Sequence, residues 1–327
     1  MTFRLLAWAL AAFVAAPGVA VAQTAPEASP EPAQTAAPAA SPAPGGFDMS
    51  SLTPEQQAAL KEAIIKASQN PVGNIAILPF QNNNNYGLGP YTRYQYNLNI
   101  QPVIPIMLSK NLTLIARSIF PFVDQPSFAP PPVCASAVGC GSTFGLSDMQ
   151  EQLFFAPKTK PGALIYGIGP LFQFPTATPQ VLGTGKWSAG PAAVALVMPG
   201  RWVIGMLATQ LWSFAGKTTT TPVNTGLFQP FLNYNIPGNQ FALSTAPIIT
   251  SNYAGSQNPK WTVPLGGGGS YTFKLGDQLM QLSALYYTNI VRPVSAPQTT
   301  LRLVWSLLFP VKRGTDVQEL VRENLKQ

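Results

Sequence analysis

Charge is scarce in this chain and histidine is missing altogether. Of 327 residues, 19 are Lys or Arg and 12 are Asp or Glu, or 9% charged, where an average soluble protein carries roughly a quarter. So little charge excludes a solvated coiled coil and a charge-rich disordered protein. Without histidine, Ser-His-Asp hydrolysis, Cys-His catalysis and histidine-ligated metal sites are excluded. The chain is therefore expected not to be an enzyme, and to hold no cofactor and no metal. Beyond the first 22 residues there is no uninterrupted apolar run of membrane-helix length: residues 189–208 come nearest, but Pro191, Pro199, Gly200 and Arg201 break them. What is abundant is proline (34), glycine (27) and overall hydrophobicity, with a mean hydropathy of +0.14. That hydrophobicity needs a home, and a membrane crossed by strands is the first candidate.

The two ends are read from local signals. Residues 1–22 combine a short basic start, an apolar stretch and the Ala20-Val21-Ala22 cleavage site of a secretory signal peptide. Residues 23–50 follow as an Ala/Pro-rich linker, which favours extended conformers and buries nothing. Thr53-Pro54-Glu55-Gln56 carries a capping Thr, a first-turn Pro and a Gln three residues after the cap, so a short helix is expected within 51–72. Thr315 repeats the pattern, and Val317, Leu320, Val321 and Leu325 predict an amphipathic helix within 311–327.

From 73 to 310 the period changes to two. Tyr94, Tyr96, Leu98 and Ile100 alternate with Gln95, Asn97, Asn99 and Gln101, which puts an apolar band on one face and amides on the other. Twelve strands are predicted, at 74–82, 91–105, 109–121, 144–156, 163–175, 185–198, 201–214, 223–236, 239–250, 259–274, 278–292 and 298–309. Short links, at 106–108, 157–162, 199–200, 237–238 and 275–277, alternate with longer polar loops at 83–90, 122–143, 176–184, 215–222, 251–258 and 293–297. An even number of such strands with this loop asymmetry is the pattern of a transmembrane β-barrel whose N-terminus lies in the periplasm. Pro170, Pro191, Pro230, Pro247 and Pro264 fall inside predicted strands, where each removes a ladder hydrogen bond.

Alternation also sorts side chains by face. Tyr96, Leu98, Leu112, Leu114, Leu301, Leu303 and Trp305 are expected to face lipid, with Tyr91, Trp187, Trp212, Trp261 and Tyr287 as interface girdles. The expected lumen-lining set is Gln95, Asn97, Asn99, Gln101, Arg117, Asp148, Gln150, Gln152, Lys186, Gln281 and Arg302. Glu151 falls on the apolar face. Between 73 and 310 there are 12 basic and 4 acidic residues, which points to a mildly positive lumen favouring small anions or polar solutes. Cys134 and Cys140 lie in the longest loop, and in an exported chain they are expected to form a local disulfide. The glycines at 266–269 lack the Lys-Ser/Thr of a phosphate loop and are read as thinning or bending a strand.

Several runs carry a family likeness: Gly167-Ile168-Gly169-Pro170, Pro175-Thr176-Ala177-Thr178, Leu182-Gly183-Thr184-Gly185-Lys186-Trp187, Gly190-Pro191 and Gln210-Leu211-Trp212-Ser213-Phe214-Ala215-Gly216. Pro79-Phe80-Gln81-Asn82-Asn83, Leu98-Asn99-Ile100-Gln101-Pro102-Val103-Ile104-Pro105, and Val223-Asn224 with Gln229-Pro230-Phe231 belong to the same pattern. Over residues 71–310 the chain resembles a family of Gram-negative secreted proteins often labelled, misleadingly, "neuromedin U". It is similar to the wider transporter-like group that includes the phenol-degradation (meta-pathway) barrels. The resemblance implies a barrel with a transport role, without a defined solute or catalytic residues.

The expected architecture is an all-β membrane barrel of about twelve antiparallel transmembrane strands over 73–310, with short N- and C-terminal periplasmic helices. The expected function is a passive channel for small solutes in the outer membrane of a Gram-negative bacterium. The alternative is a non-conducting structural or interaction barrel with a periplasmic Pro-rich arm. Expected partners are outer-membrane lipid, an unknown small-molecule solute and the barrel-assembly machinery, and no nucleic acid.

Overall fold

The computed structural model describes residues 65–66, 69–73, 75–128, 141–160, 162–238, 240–256, 258–276 and 278–310. All of them belong to the second of two compact units, Phe47–Gln327, the first being Met1–Gly46. The residues expected to form a signal peptide and linker, Cys134 and Cys140, and the predicted C-terminal helix lie outside the described residues, as does the predicted N-terminal helix apart from helical Ile65 and Lys66.

The period-two segments form one closed antiparallel sheet. Its strands are β1 (Ile75–Leu88), β2 (Arg93–Ile100), β3 (Val103–Ser109), β4 (Leu112–Pro126), β5 (Ser142–Leu146), β6 (Met149–Pro157), β7 (Ile165–Phe174), β8 (Lys186–Val197), β9 (Trp202–Gly216), β10 (Asn224–Asn235), β11 (Phe241–Thr245), β12 (Ile249–Asn252), β13 (Trp261–Leu275), β14 (Gln278–Val291) and β15 (Thr299–Pro310). β2 and β3, β5 and β6, and β11 and β12 are halves of single strands, broken at 101–102, 147–148 and 246–248, so fifteen segments make twelve strands. Each strand pairs with its sequence neighbours, and β1–β15 and β9–β10 pairings leave no edge. No long apolar helix is required: the described helices are too short to cross a membrane, and the strands are the crossing elements.

The loops at the end where β1 begins span 110–111, 158–164, 198–201, 236–240 and 276–277; those at the opposite end span 89–92, 127–141, 175–185, 217–223, 253–260 and 292–298. Two of the predicted connections are misplaced. Residues 106–108 continue β3, and the turn is at 110–111; the asparagine run Asn82-Asn83-Asn84-Asn85, read as loop, lies within β1. Those asparagines stay in the sheet because other polar groups meet them, such as Tyr96 OH accepting from Asn82 Nδ2 at 2.9 Å and Asn84 Nδ2 donating to Asn82 Oδ1 at 2.8 Å.

Closure also accommodates the in-strand prolines. Pro170 and Pro191 sit directly opposite each other on β7 and β8. The β6–β7 register skips the rungs between Gln152–Leu171 and Phe155–Ile168, and the β8–β9 register skips those between Ala189–Trp212 and Ala192–Thr209. The missing donors therefore face away from each other, one toward β6 and one toward β9. On each flank the glycine before the proline closes up on the carbonyl that has lost its partner. A Cβ on Gly169 would lie 1.8 Å from Leu153 O, and one on Gly190 would lie 1.8 Å from Gln210 O. Only a residue without Cβ permits this approach, in which a Cα–H takes the place of the lost N–H. The glycine run behaves similarly: Cβ atoms on Gly266 and Gly268 would lie 2.0 Å and 1.9 Å from β14 carbonyls.

Candidate functional site

The closed wall gives every strand an inside and an outside. On β8, Lys186, Ser188, Ala192, Val194 and Leu196 are buried, whereas Trp187, Pro191 and Ala193 are exposed. On the outside, Ile168, Ile204, Met206, Leu243, Leu265, Leu282, Leu303 and Trp305 form an exposed apolar surface. Trp187, Trp212 and Trp261 are on it too. Tyr287, expected in the girdle, is instead 1% exposed. It shares its parity with Gln281 and Ser283, whose cross-strand partners include buried Ser306 and Ser270, so it points inward.

The expected polar set falls on the interior parity, in three clusters. In the first, Arg302 donates from Nε to Asn83 Oδ1 at 3.0 Å and from Nη1 to the Ala246 carbonyl at 2.9 Å, and its guanidinium stands 4.9 Å from the Tyr287 ring centroid. Ala246 N–H donates to Tyr287 OH at 2.9 Å. The break at 246–248 is thus mended by interior side chains. Nearby, Asn85 Nδ2 donates to Gln95 Oε1 at 2.9 Å, and Gln95 Nε2 to Gln125 Oε1 at 2.5 Å. Asn97 and Asn99 stand opposite Asn83 and Gln81, and Gln281 Nε2 donates to Thr272 Oγ1 at 3.2 Å.

The second cluster lies at the break between β2 and β3. Arg117 donates to Gln152 Oε1 at 3.2 Å and to Gln101 Oε1 at 2.6 Å. The backbone there is satisfied by Gln101 N–H to Pro79 O and Ser118 N–H to Pro102 O. The third lies at the break between β5 and β6, where the Asp148 carboxylate accepts from Thr184 N–H and Oγ1, both at 2.7 Å. Gln150 Nε2 donates to Gln173 Oε1 at 3.2 Å, and Lys186 Nζ donates to the Lys217 carbonyl at 2.6 Å. A charged interior residue thus stands at each break, but only Arg302 bonds the broken backbone itself; at 101–102 and 147–148 backbone carbonyls of neighbouring strands accept instead. Among the described residues no three carboxylate or cysteine side chains converge as a metal site would require.

Alternation missed the other half of the interior. Ile115, Phe154, Leu171, Val194, Val203 and Leu207 form a buried apolar cluster on the inner face of β4 and β6–β9. Val72, just before β1, packs into it, lying against Gly167. Gln69 and Asn235 exchange side-chain bonds at 2.8 and 3.2 Å. The segment preceding the barrel thus enters its β1-start end. At the long-loop end a cavity of about 910 Å³ opens between Gln95, Gln125, Phe128, Ser142, Thr143 and Leu182. A second, of about 400 Å³, borders Asp148, Gln150, Gln173 and Thr184, and the two share Ser147, Val181 and Leu182. Glu151 is on the outer face, accepting from Ser118 Oγ at 2.5 Å.

No family model matches the chain, and no curated protein matches it by sequence. Among solved structures, an outer membrane channel from Pseudomonas putida F1 aligns with a TM-score of 0.53 at 14% identity, covering 72% of this chain and 94% of that one. The chain has the fold of an outer-membrane β-barrel. The phospholipase A of the Escherichia coli outer membrane is also similar, with a TM-score of 0.40 at 10% identity over 77% of this chain and 97% of that one. So is the monoaromatic hydrocarbon channel CymD, at 0.36 and 12% over 75% and 92%. Likenesses this weak carry no argument about what the present barrel does. The expectation that the chain is not an enzyme rested on the missing histidine alone and is withdrawn; a phospholipase stands among the similar barrels. A missing imidazole excludes the chemistries that need one, whereas the barrel architecture itself excludes none.

Proposed function

We propose that this barrel is a passive outer-membrane channel for small solutes, exported by the signal of residues 1–22 and inserted with its N-terminal side in the periplasm. The observation that carries the reading is the mixed interior: amides and charged side chains on β15 through β4 and on β6–β8 lie beside an apolar cluster drawn from β4 and β6–β9. A wall filled only for stability would be apolar throughout, and a wide aqueous pore would be polar throughout. An interior of both kinds, with its apolar part packed shut, suits a narrow passage for small polar solutes. The cavities at the long-loop end supply an entrance, and the segment carrying Gln69 and Val72 narrows the exit. The sequence resemblance to the meta-pathway barrels supports the same reading.

The test is conductance in planar bilayers of the mature chain and of a form lacking residues 23–70. The expected result is small unitary steps from the full chain and larger steps after truncation. Folded barrels, judged by their unheated gel mobility, that conduct in neither form would overturn the proposal.

A further inference from the structure

Val103, Arg117, Gln152 and Leu171 form one interior row, paired in direct register across β3, β4, β6 and β7. Within it the guanidinium of Arg117 donates to the oxygens of Gln152 and Gln101. A guanidinium can only donate, so it turns both amide oxygens toward itself and both amide nitrogens away. The two glutamines are 3% and 5% exposed, which makes them a built part of the wall and not surface side chains. Neither amide nitrogen has a partner among the described residues, and neither is sealed inside the protein. What remains is a group of N–H donors whose two amide oxygens are both turned to the guanidinium.

Among the described residues the charge of this group is also unmatched. Glu151 is one rung away but on the outer face, bonded by Ser118, and Asp148 is bonded by Thr184. A guanidinium removed from bulk water without a counter-charge is costly, and an anion completes it. One interior step toward the β1-start end, Ile115 and Phe154 stand opposite each other, 0% and 2% exposed, and Leu171 flanks Gln152. These side chains are packed against protein and leave a ligand no apolar surface, so the donors alone define the site.

We propose that Arg117, Gln101 and Gln152 bind the carboxylate of a small organic solute in the lumen. This rests on the channel reading above and names the solute class for it. The planar guanidinium matches the two oxygens of a carboxylate. Binding in a conduit has to be weak enough to release, so the effect appears as partial block of ion current.

The experiment uses the full mature chain in planar bilayers, with benzoate as the probe and benzyl alcohol as its uncharged counterpart. Benzoate is expected to block the current, and Arg117→Gln to weaken that block by about tenfold or more. Gln152→Glu places a carboxylate of equal size on the guanidinium and is expected to weaken the block similarly. It decides the matter if Arg117→Gln does not fold. Benzyl alcohol is expected to act alike on all forms. Equal block of the wild type and either folded variant overturns the site while leaving a conducting channel. Loss of chloride preference in Arg117→Gln with unchanged benzoate block also overturns it, since the charge would then serve only the field of the pore. If no form conducts, the channel reading has failed, and this assignment with it.

Discussion

The close approach of Gly169 to Leu153 can be tested by adding one methyl group. In Gly169→Ala the new Cβ would start 1.8 Å from a backbone oxygen, and real Cβ atoms do not come within 3.0 Å, so β6 and β7 must part by at least 1.2 Å (3.0 minus 1.8). A carbonyl cannot rotate aside as a side chain would. The adjoining rungs, Gln152–Leu171 and Phe155–Ile168, already flank a gap in the ladder. A hydrogen bond stretched by more than 1 Å is lost, at about 0.5–1.5 kcal/mol each when water can compensate and more in a lipid-facing wall. With one or two rungs affected, the expected loss is about 2–4 kcal/mol. Pro170→Ala is the informative companion, because it returns an N–H to the same gap. Its regained bond, about 0.5–1.5 kcal/mol, is offset by about 0.4–1 kcal/mol of unfolded-chain entropy, so the net change is near zero. Both are read from urea unfolding midpoints in lipid vesicles, using the fluorescence of the tryptophans at 187, 202, 212, 261 and 305. An unchanged midpoint in Gly169→Ala, or a larger loss in Pro170→Ala, would refute the account of the paired prolines.

Phe154→Ala removes a 2% exposed ring from the interior cluster and should cost about 3–5 kcal/mol in the same assay; a negligible loss would mean that the cluster is not packed. Glu151→Leu replaces a carboxylate on the outer face with an apolar group. It should stabilise the barrel by about 1–2 kcal/mol in vesicles, and a loss of stability would show that the carboxylate does not face lipid. Asn235→Ala cuts both bonds to Gln69 and should raise unitary conductance toward that of the truncated chain. If truncation raises conductance and Asn235→Ala does not, these bonds do not hold the segment in place.

Strand count and order were legible because lipid and lumen demand opposite chemistry, and β2 and β15 record that contrast residue by residue. The asparagines of β1 misled for a physical reason. Isolated asparagine favours loops, but Asn83 here accepts from Arg302 and Asn82 meets Tyr96, contacts from strands distant in sequence or across a turn. The prolines were similarly opaque. Each one alone argues against a strand, and only the register that sets Pro170 opposite Pro191 shows where the two missing donors go.

The site was half legible for a related reason. Alternation reports a face only when the two faces differ. On β8 and β9 the inward Val194, Leu196, Val203 and Leu207 are as apolar as the outward Ala193, Ile204 and Met206, so the pattern is silent about which side is the lumen. Arg117 could be assigned inward from its own strand, but its surroundings could not. Gln101 comes from a strand break, Gln152 from the next strand round the wall, and Leu171 from the strand after that. No single segment carries the pattern of a donor cluster beside an apolar wall. It exists only across four strands, which is why the most specific feature of the interior is also the one that a reading along the chain does not contain.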